Sequence, residues 1–174
     1  MIKGENIILR HVKEQDLDWL IEVLNDLSLR GDYLRTTLKS PHEIRKGFKE
    51  TGFASAQNEL FIITDLSGNR IGTINHFLTV PYSTSKELGY SIYGEHGKGY
   101  ATEAVKLVRD YLFSSTELNR VEIKAHVENI GSQRAALKNG FQHEGTLKGI
   151  MLVKGKYIDT HVYGMVREDW NALS

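Results

Sequence analysis

Glu87-Leu-Gly-Tyr-Ser-Ile-Tyr-Gly-Glu-His-Gly-Lys-Gly-Tyr-Ala-Thr-Glu-Ala104 is the stretch whose reading decides the fold. In its first half Leu88, Tyr90 and Ile92 alternate with Glu87, Gly89 and Ser91, the period of a strand. Gly94 to Gly99 is too rich in glycine for either regular element. Beyond it Ala101, Ala104, Val105, Val108 and Leu112 recur at helical spacing and make one apolar face. The order is therefore strand, glycine loop, helix. A helix start offers free backbone N–H groups and the positive end of the macrodipole, and glycine lets that backbone approach a ligand. The physical expectation is an anion site, best suited to phosphate. A P-loop is excluded, because Gly99 is followed by Tyr100 and Ala101 rather than Lys and Ser/Thr. The dinucleotide fingerprint is excluded too, because Thr102 stands where its third Gly belongs. On local pattern alone, a glycine-rich turn without a ligand fits equally well.

The remainder of the chain reads outward from there. Ile7 to Val12 is a strand. Leu17, Leu20, Ile21, Leu24 and Leu27 form an amphipathic helix with Asp16 and Asp18 in its first turn. Ser40-Pro-His-Glu43 opens a second helix: Ser as N-cap, Pro at N1 and Glu closing a capping box, running towards Phe53. Leu60 to Thr64 and Arg70 to Val80 are strands joined by the turn Asp65 to Asn69. Pro81 to Lys86 is a polar loop. Val121, Ile123, Ala125 and Val127 alternate with charged residues. Asn129 can cap a further short helix and Gly140 can stop it. Phe141 to Val153 and Tyr157 to Val166 form a last hairpin about Lys154-Gly-Lys156. Adjacent strands with four helices indicate an α+β protein with a mixed sheet, expected as a single domain over 1–174.

Composition narrows the chemistry. Apolar residues make up 40% and charged residues 25%, and formal net charge is zero, so no basic excess favours nucleic acid. The chain has no Cys, which excludes disulfides, Cys-metal sites and a Cys-linked acyl intermediate. No apolar run is long enough to span a membrane and the N-terminus lacks a secretory h-region, so a cytoplasmic location is the expectation.

Gly97-Lys-Gly-Tyr-Ala-Thr-Glu-Ala104 resembles the acetyl-CoA loop of the GNAT superfamily of N-acetyltransferases. The family pattern Gln/Arg-x-x-Gly-x-Gly/Ala aligns as His96 to Ala101, with His96 the departure. Leu118-Asn-Arg-Val-Glu122, Asn129-Ile-Gly-Ser132 and Lys138-Asn-Gly-Phe-Gln-His-Glu-Gly145 resemble the Rim-type branch, which includes ribosomal-protein N-terminal acetyltransferases. The resemblance runs over essentially the whole chain. It implies a GNAT fold: a twisted, mixed, mostly antiparallel sheet of about seven strands flanked by four helices.

It also implies acetyl transfer from acetyl-CoA, a co-substrate, to a primary amine by direct transfer in a ternary complex, with no metal. The pyrophosphate would lie on Gly97, Lys98, Gly99, Tyr100, Ala101 and Thr102, and the thioester arm beside Tyr90, Ser91 and Ile92. Asn129 would bind the arm or orient Ser132. The family's usual Tyr acid, seven residues after the Asn, falls here on Ala136; the branch's Ser falls on Ser132, which becomes the thiolate partner. Glu87 is the first candidate base, with His76 and Glu144 as alternatives. Tyr33, Leu34, His76, Tyr82 and Tyr157 are candidates for the acceptor pocket, and Asp159 for binding a cationic acceptor. The acceptor expected from the branch is a protein N-terminus such as that of a ribosomal protein. A small amine (a polyamine or aminoglycoside) is the second choice, and a non-catalytic acyl-CoA-binding module or a nucleotide-binding module stands outside the enzyme class. A homodimer is the common assembly of the resembled branch.

Overall fold

The computed structural model describes every residue except 35, 81–83, 95 and 174, and the Arg30 side chain. Eight strands form one sheet: β1 (Ile2–Lys3), β2 (Ile7–His11), β3 (Asn58–Asp65), β4 (Arg70–Leu78), β5 (Ser85–Ile92), β6 (Arg120–His126), β7 (Gln142–Val153) and β8 (Lys156–Val166). Their order across the sheet is β1-β2-β3-β4-β5-β6-β8-β7. Every neighbouring pair is antiparallel except β5 and β6, which run parallel. The longest helix, α3 (Tyr100–Ser115), is the crossover between these two parallel strands, as a parallel pair requires. The other helices are α1 (Leu17–Asn25), α2 (Pro41–Thr51), α4 (Ile130–Lys138) and α5 (Arg167–Asn171).

The helices cover both faces. Val105, Val108, Leu112 and Phe113 of α3 and Ala136 of α4 pack on Phe61, Ile74, Leu88, Ile123 and Tyr163 of the sheet. On the other face Leu17, Leu20 and Val23 of α1 and Ile44 of α2 pack on Ile62. At the α2 start Pro41 occupies the first turn and the Ser40 hydroxyl accepts from the Glu43 N–H, as the sequence implies, but the Glu43 side chain does not return a bond to Ser40 to close the capping box. The last hairpin turns on Lys154 and Gly155, both at positive φ, the conformation of a tight two-residue connection.

Three points differ from the sequence reading. The sheet has one strand more than about seven, because Ile2–Lys3 adds a short edge to β2. Leu27 lies beyond α1 and is exposed, since the helix ends at Asn25. Asp16 lies not in the first turn of α1 but at its N-cap, where it is buried. Burial works against its charge, but Arg10 (Nη1 to Oδ2, 2.6 Å), the Lys13 N–H (2.8 Å) and the more distant Arg70 outweigh that and hold the carboxyl below its ordinary value. A carboxyl depressed in the folded state adds stability above its unfolded pKa, and that stability is lost as pH falls through the folded value. Asp16→Ala should therefore cost about 2–3 kcal/mol at pH 7, since hydrogen bonds to a charged group are removed from a buried site. The wild-type advantage in urea midpoints should shrink as pH drops below about 4; a difference independent of pH would overturn the assignment.

Candidate active site

The parallel pairing of β5 with β6 spans only Ser85–Leu88 against Arg120–Ile123. Both strands continue beyond it, β5 to Ile92 and β6 to His126, each held on its outer side by β4 and β8. They part and leave a split that the sequence alone did not reveal. The Tyr93 N–H donates to the Ile71 carbonyl at 2.8 Å, so by the alternation of an antiparallel ladder Tyr90 and Ile92 direct their N–H and C=O groups away from β4, into the split. Backbone groups without a strand partner call for water or a ligand.

At one end of the split stands the start of α3. Gly99 is its N-cap, and no side chain caps it. The Glu103 N–H is the first to bond within the helix, to the Gly99 carbonyl at 3.0 Å, which leaves the N–H groups of Tyr100, Ala101 and Thr102 for a ligand. Gly97 and Gly99 sit at φ of 83° and 81°, and a Cβ on either would meet no atom within 4 Å. The backbone is thus both glycine-dependent and open on its outer side, as a phosphate cradle must be. Lys98 and His96 are exposed on the same loop. The Thr102 carbonyl is fixed by the Asn139 amide at 2.9 Å, which ties α3 to the end of α4.

On the α3/α4 face of the split, Tyr90 reaches across from β5. Its hydroxyl lies 2.7 Å from Ser132 Oγ and 3.4 Å from the Ser132 carbonyl. Burial pushes the phenol up to about 12, against a smaller opposing effect of the Ser132 hydrogen bond. Asn129 caps α4, its Oδ1 accepting the Ser132 N–H at 3.0 Å. Ala136 is fully buried in the main core.

The acid and base candidates are placed as follows. Glu87 points to the opposite face of the sheet from Leu88 and Tyr90 and is held by Lys124 (Nζ to Oε2, 2.7 Å), with Glu122 beside it. His76 is buried on the α3 face with both ring nitrogens engaged: Nδ1 lies 3.2 Å from Lys86 Nζ and Nε2 2.9 Å from Glu59. An ammonium has only hydrogens to offer, so Nδ1 accepts and Nε2 carries the proton that goes to Glu59. Burial lowers the His76 pKa, and its place under α3 removes it from both base and acceptor roles. Glu144 forms a two-pronged ion pair with Arg120, which holds its carboxyl below the ordinary value and spends it on structure.

A cleft of about 520 Å³ lies at the free end of β6, lined by Asp32, His126, Val127, Glu128 and, from the hairpin, Val153, Lys154 and Lys156 to Asp159. Tyr33 packs its ring on His126, with centroids 5.0 Å apart. Tyr157 and Leu34 are exposed. Tyr157 and Asp159 thus line this cleft and Tyr33 packs on its His126, while Tyr82 lies outside the described residues. Two of the cleft's three carboxylates carry partners: Asp32 with Lys154 at 2.6 Å, and Asp159 with Lys148 at 2.7 Å and the Gly149 N–H at 2.9 Å, while the third, Glu128, is exposed with no cation partner among the described residues. The Lys148 hydrogen bond is the main reason that Asp159 titrates below its ordinary range. The sequence reading missed His126, whose Nδ1 accepts the Glu128 N–H at 2.9 Å; its only signal was its place three residues before Asn129.

Comparison with known proteins is consistent with this arrangement. The model of the acetyltransferase (GNAT) domain matches residues 6–142. An uncharacterized N-acetyltransferase, p20, from Bacillus licheniformis is 28% identical over 171 residues, which is 95% of this chain and 96% of that protein. The ribosomal-protein-serine acetyltransferase of Escherichia coli is 33% identical over 97 residues, 55% of this chain and 54% of that enzyme. The structure of Vibrio cholerae spermidine N-acetyltransferase in complex with CoA and spermine superposes with a TM-score of 0.84 over 97% of this chain and 99% of that one, at 22% identity, a likeness of fold.

Gly99→Trp should test the cradle. A side chain at positive φ is strained by roughly 1–2 kcal/mol, and its bulk fills the open side of the loop. Titration calorimetry should show acetyl-CoA affinity reduced by tenfold or more, ~1.4 kcal/mol, with an unchanged circular dichroism spectrum. Undiminished binding by the folded variant would remove the loop from the site.

Proposed function

Since this chain belongs to the GNAT acetyltransferase family and is thereby an acetyl-CoA-dependent acyltransferase, we propose that its acceptor is the terminal α-amine of a peptide or protein, entering by the cleft at the end of β6. The observation that carries this reading is the charge state of the cleft. Asp32 and Asp159 are already paired with Lys154 and Lys148, and Lys156 adds another cation to the lining, which leaves Glu128 as its one carboxylate without a cation partner among the described residues. A polyamine needs several unspent carboxylates. A peptide end brings one ammonium on a neutral backbone and suits a lining of mixed sign. The kinship with a ribosomal-protein-serine acetyltransferase supports the same choice, while the fold shared with a spermidine N-acetyltransferase keeps small amines as the competing outcome.

On this reading the pyrophosphate of acetyl-CoA rests on the N–H groups at Gly97, Lys98, Gly99, Tyr100, Ala101 and Thr102, and the arm follows Tyr90, Ser91 and Ile92 through the split. An α-amine has a pKa of about 8, so an appreciable fraction is neutral near pH 7.5. Its nitrogen attacks the thioester carbon, and the oxyanion of the tetrahedral adduct meets a backbone N–H of β5 beyond Leu88, an interaction of ~3 kcal/mol in a preorganised site. The C–S bond breaks and sulfur leaves with the electron pair, accepting a hydrogen bond from Ser132. The amine's surplus proton goes to Glu87, which faces the acceptor side, directly or through water. The product is an amide and free CoA, with no covalent enzyme intermediate.

A thiol-release assay with a short peptide bearing free N-terminal Ser or Ala, the same peptide N-formylated, and spermidine tests the acceptor. The free peptide should exceed spermidine at least tenfold in kcat/KM, and formylation should abolish turnover. A preference for spermidine would assign the site to small amines instead. Glu87→Gln should lower kcat by 10²-fold or more while acetyl-CoA affinity is kept, the usual yield of a positioned base. A change under threefold would leave the proton to water.

A further inference from the structure

Among the polar groups that face the split, Tyr90 and Ser132 form a pair that joins its two walls. The Tyr90 ring rests against the main core, on a strand secured by β4. The Ser132 backbone is fixed independently, by the Asn129 cap. Their hydroxyls are 2.7 Å apart, although 42 residues separate them in the chain. The distance fits one strong hydrogen bond, and its direction decides what the serine can do. If the phenol donates to Ser132 Oγ, the serine proton is free to point into the split.

We infer that Tyr90 is a positioning residue for the departing thiolate, its O–H donating to Ser132 Oγ so that the Ser132 O–H donates to sulfur. The inference rests on the assignment of Ser132 as thiolate partner above, and not on which amine is the acceptor. Chains of hydrogen bonds polarise one another, so the phenol strengthens the serine as a donor. Tyr90 does not surrender its proton. Burial holds the phenol near 12, whereas a thiol has a pKa of about 8.5. The phenol therefore stays a donor throughout the working pH range. As the C–S bond breaks, sulfur takes the pair and shares the Ser132 proton in a hydrogen bond. The proton that finally converts thiolate to thiol comes from solvent, which receives the one released by the amine.

The test needs no acceptor. CoA is bound to wild type, Tyr90→Phe, Ser132→Ala and the double variant, and the thiol is titrated through the ultraviolet absorbance of the thiolate. Loss of one charge-assisted hydrogen bond should raise the pH at which bound CoA ionises by roughly one unit in Ser132→Ala, and by roughly half a unit in Tyr90→Phe. The double variant should match Ser132→Ala alone, because the phenol acts through the serine. An unchanged circular dichroism spectrum and undiminished CoA affinity in Tyr90→Phe guard against a misfolded variant. A shift in Ser132→Ala with none in Tyr90→Phe would overturn the role of Tyr90, as would additive shifts or a loss of CoA affinity without any shift. No shift in Ser132→Ala would overturn the thiolate assignment itself.

Discussion

The site depends on one interruption of hydrogen bonding: the parallel ladder of β5 and β6 stops after Leu88 and Ile123, while both strands run on. Each strand stays in the sheet through its outer neighbour, β4 on one side and β8 on the other, so the interruption does not unravel the fold. Because antiparallel pairing uses the backbone groups of alternate residues, Tyr90 and Ile92 have theirs aimed inward. An extended ligand with amide groups of its own can complete what the missing ladder leaves open. The crossover that a parallel pair demands, α3, then begins beside the same opening. One topological feature thus supplies both the slot for the arm and the helix start for the phosphates.

Charge is arranged differently on the two faces. On the α3 face, Glu59, His76, Lys86 and Tyr111 close on one another under the helix, and His76 loses both ring nitrogens to that network. On the opposite face an alternating run of Glu87, Lys124, Glu122, Arg120 and Glu144 links β5, β6 and β7, passing over Gly164 of β8. Most carboxylates near the split are therefore already committed to a cation. Chemistry in such a site leans on acceptors that are neutral near physiological pH and on oriented hydrogen bonds more than on a free base of high affinity. On the proposed reading, an α-amine with its modest pKa places less demand on such a site than a strongly basic alkylamine.

Much of the fold was legible, and for physical reasons. The strand–loop–helix around Gly97 and Gly99, the Ser40-Pro41 helix start, the Asn129 cap and the Lys154-Gly155 turn are local devices whose residue types are dictated by backbone geometry, and each appears where the sequence places it. What was illegible arises between distant segments. Alternation along β4 shows that His76 has a face, but only the pairing of β3, β4 and β5 places Glu59 and Lys86 on either side of it. Asp16 reads as an ordinary helix-start acid until Arg10, one strand away, is seen to bury it. Glu87 reads as a free strand-end carboxylate until the short parallel register puts Lys124 against it. The GNAT family resemblance supplied the cofactor and the reaction class, which no periodicity could have done.

The same reasoning accounts for the tyrosine that the family carries on the fourth helix. Here that turn presents Ala136, fully buried against the core, so no hydroxyl projects from that position. The phenol comes instead from the opposite wall, on Tyr90 of β5, and meets the helix at Ser132. A phenol on a strand locked by β4 is more rigidly placed than one on a nine-residue helix, whose own anchor is the Asn129 cap. From the strand the hydroxyl arrives at Ser132 Oγ. On the inference above, that serine, on the first turn of α4 with its N–H held by Asn129, carries the hydrogen bond onward to sulfur, and the pairing gives a reason for Ser132 to accompany Ala136.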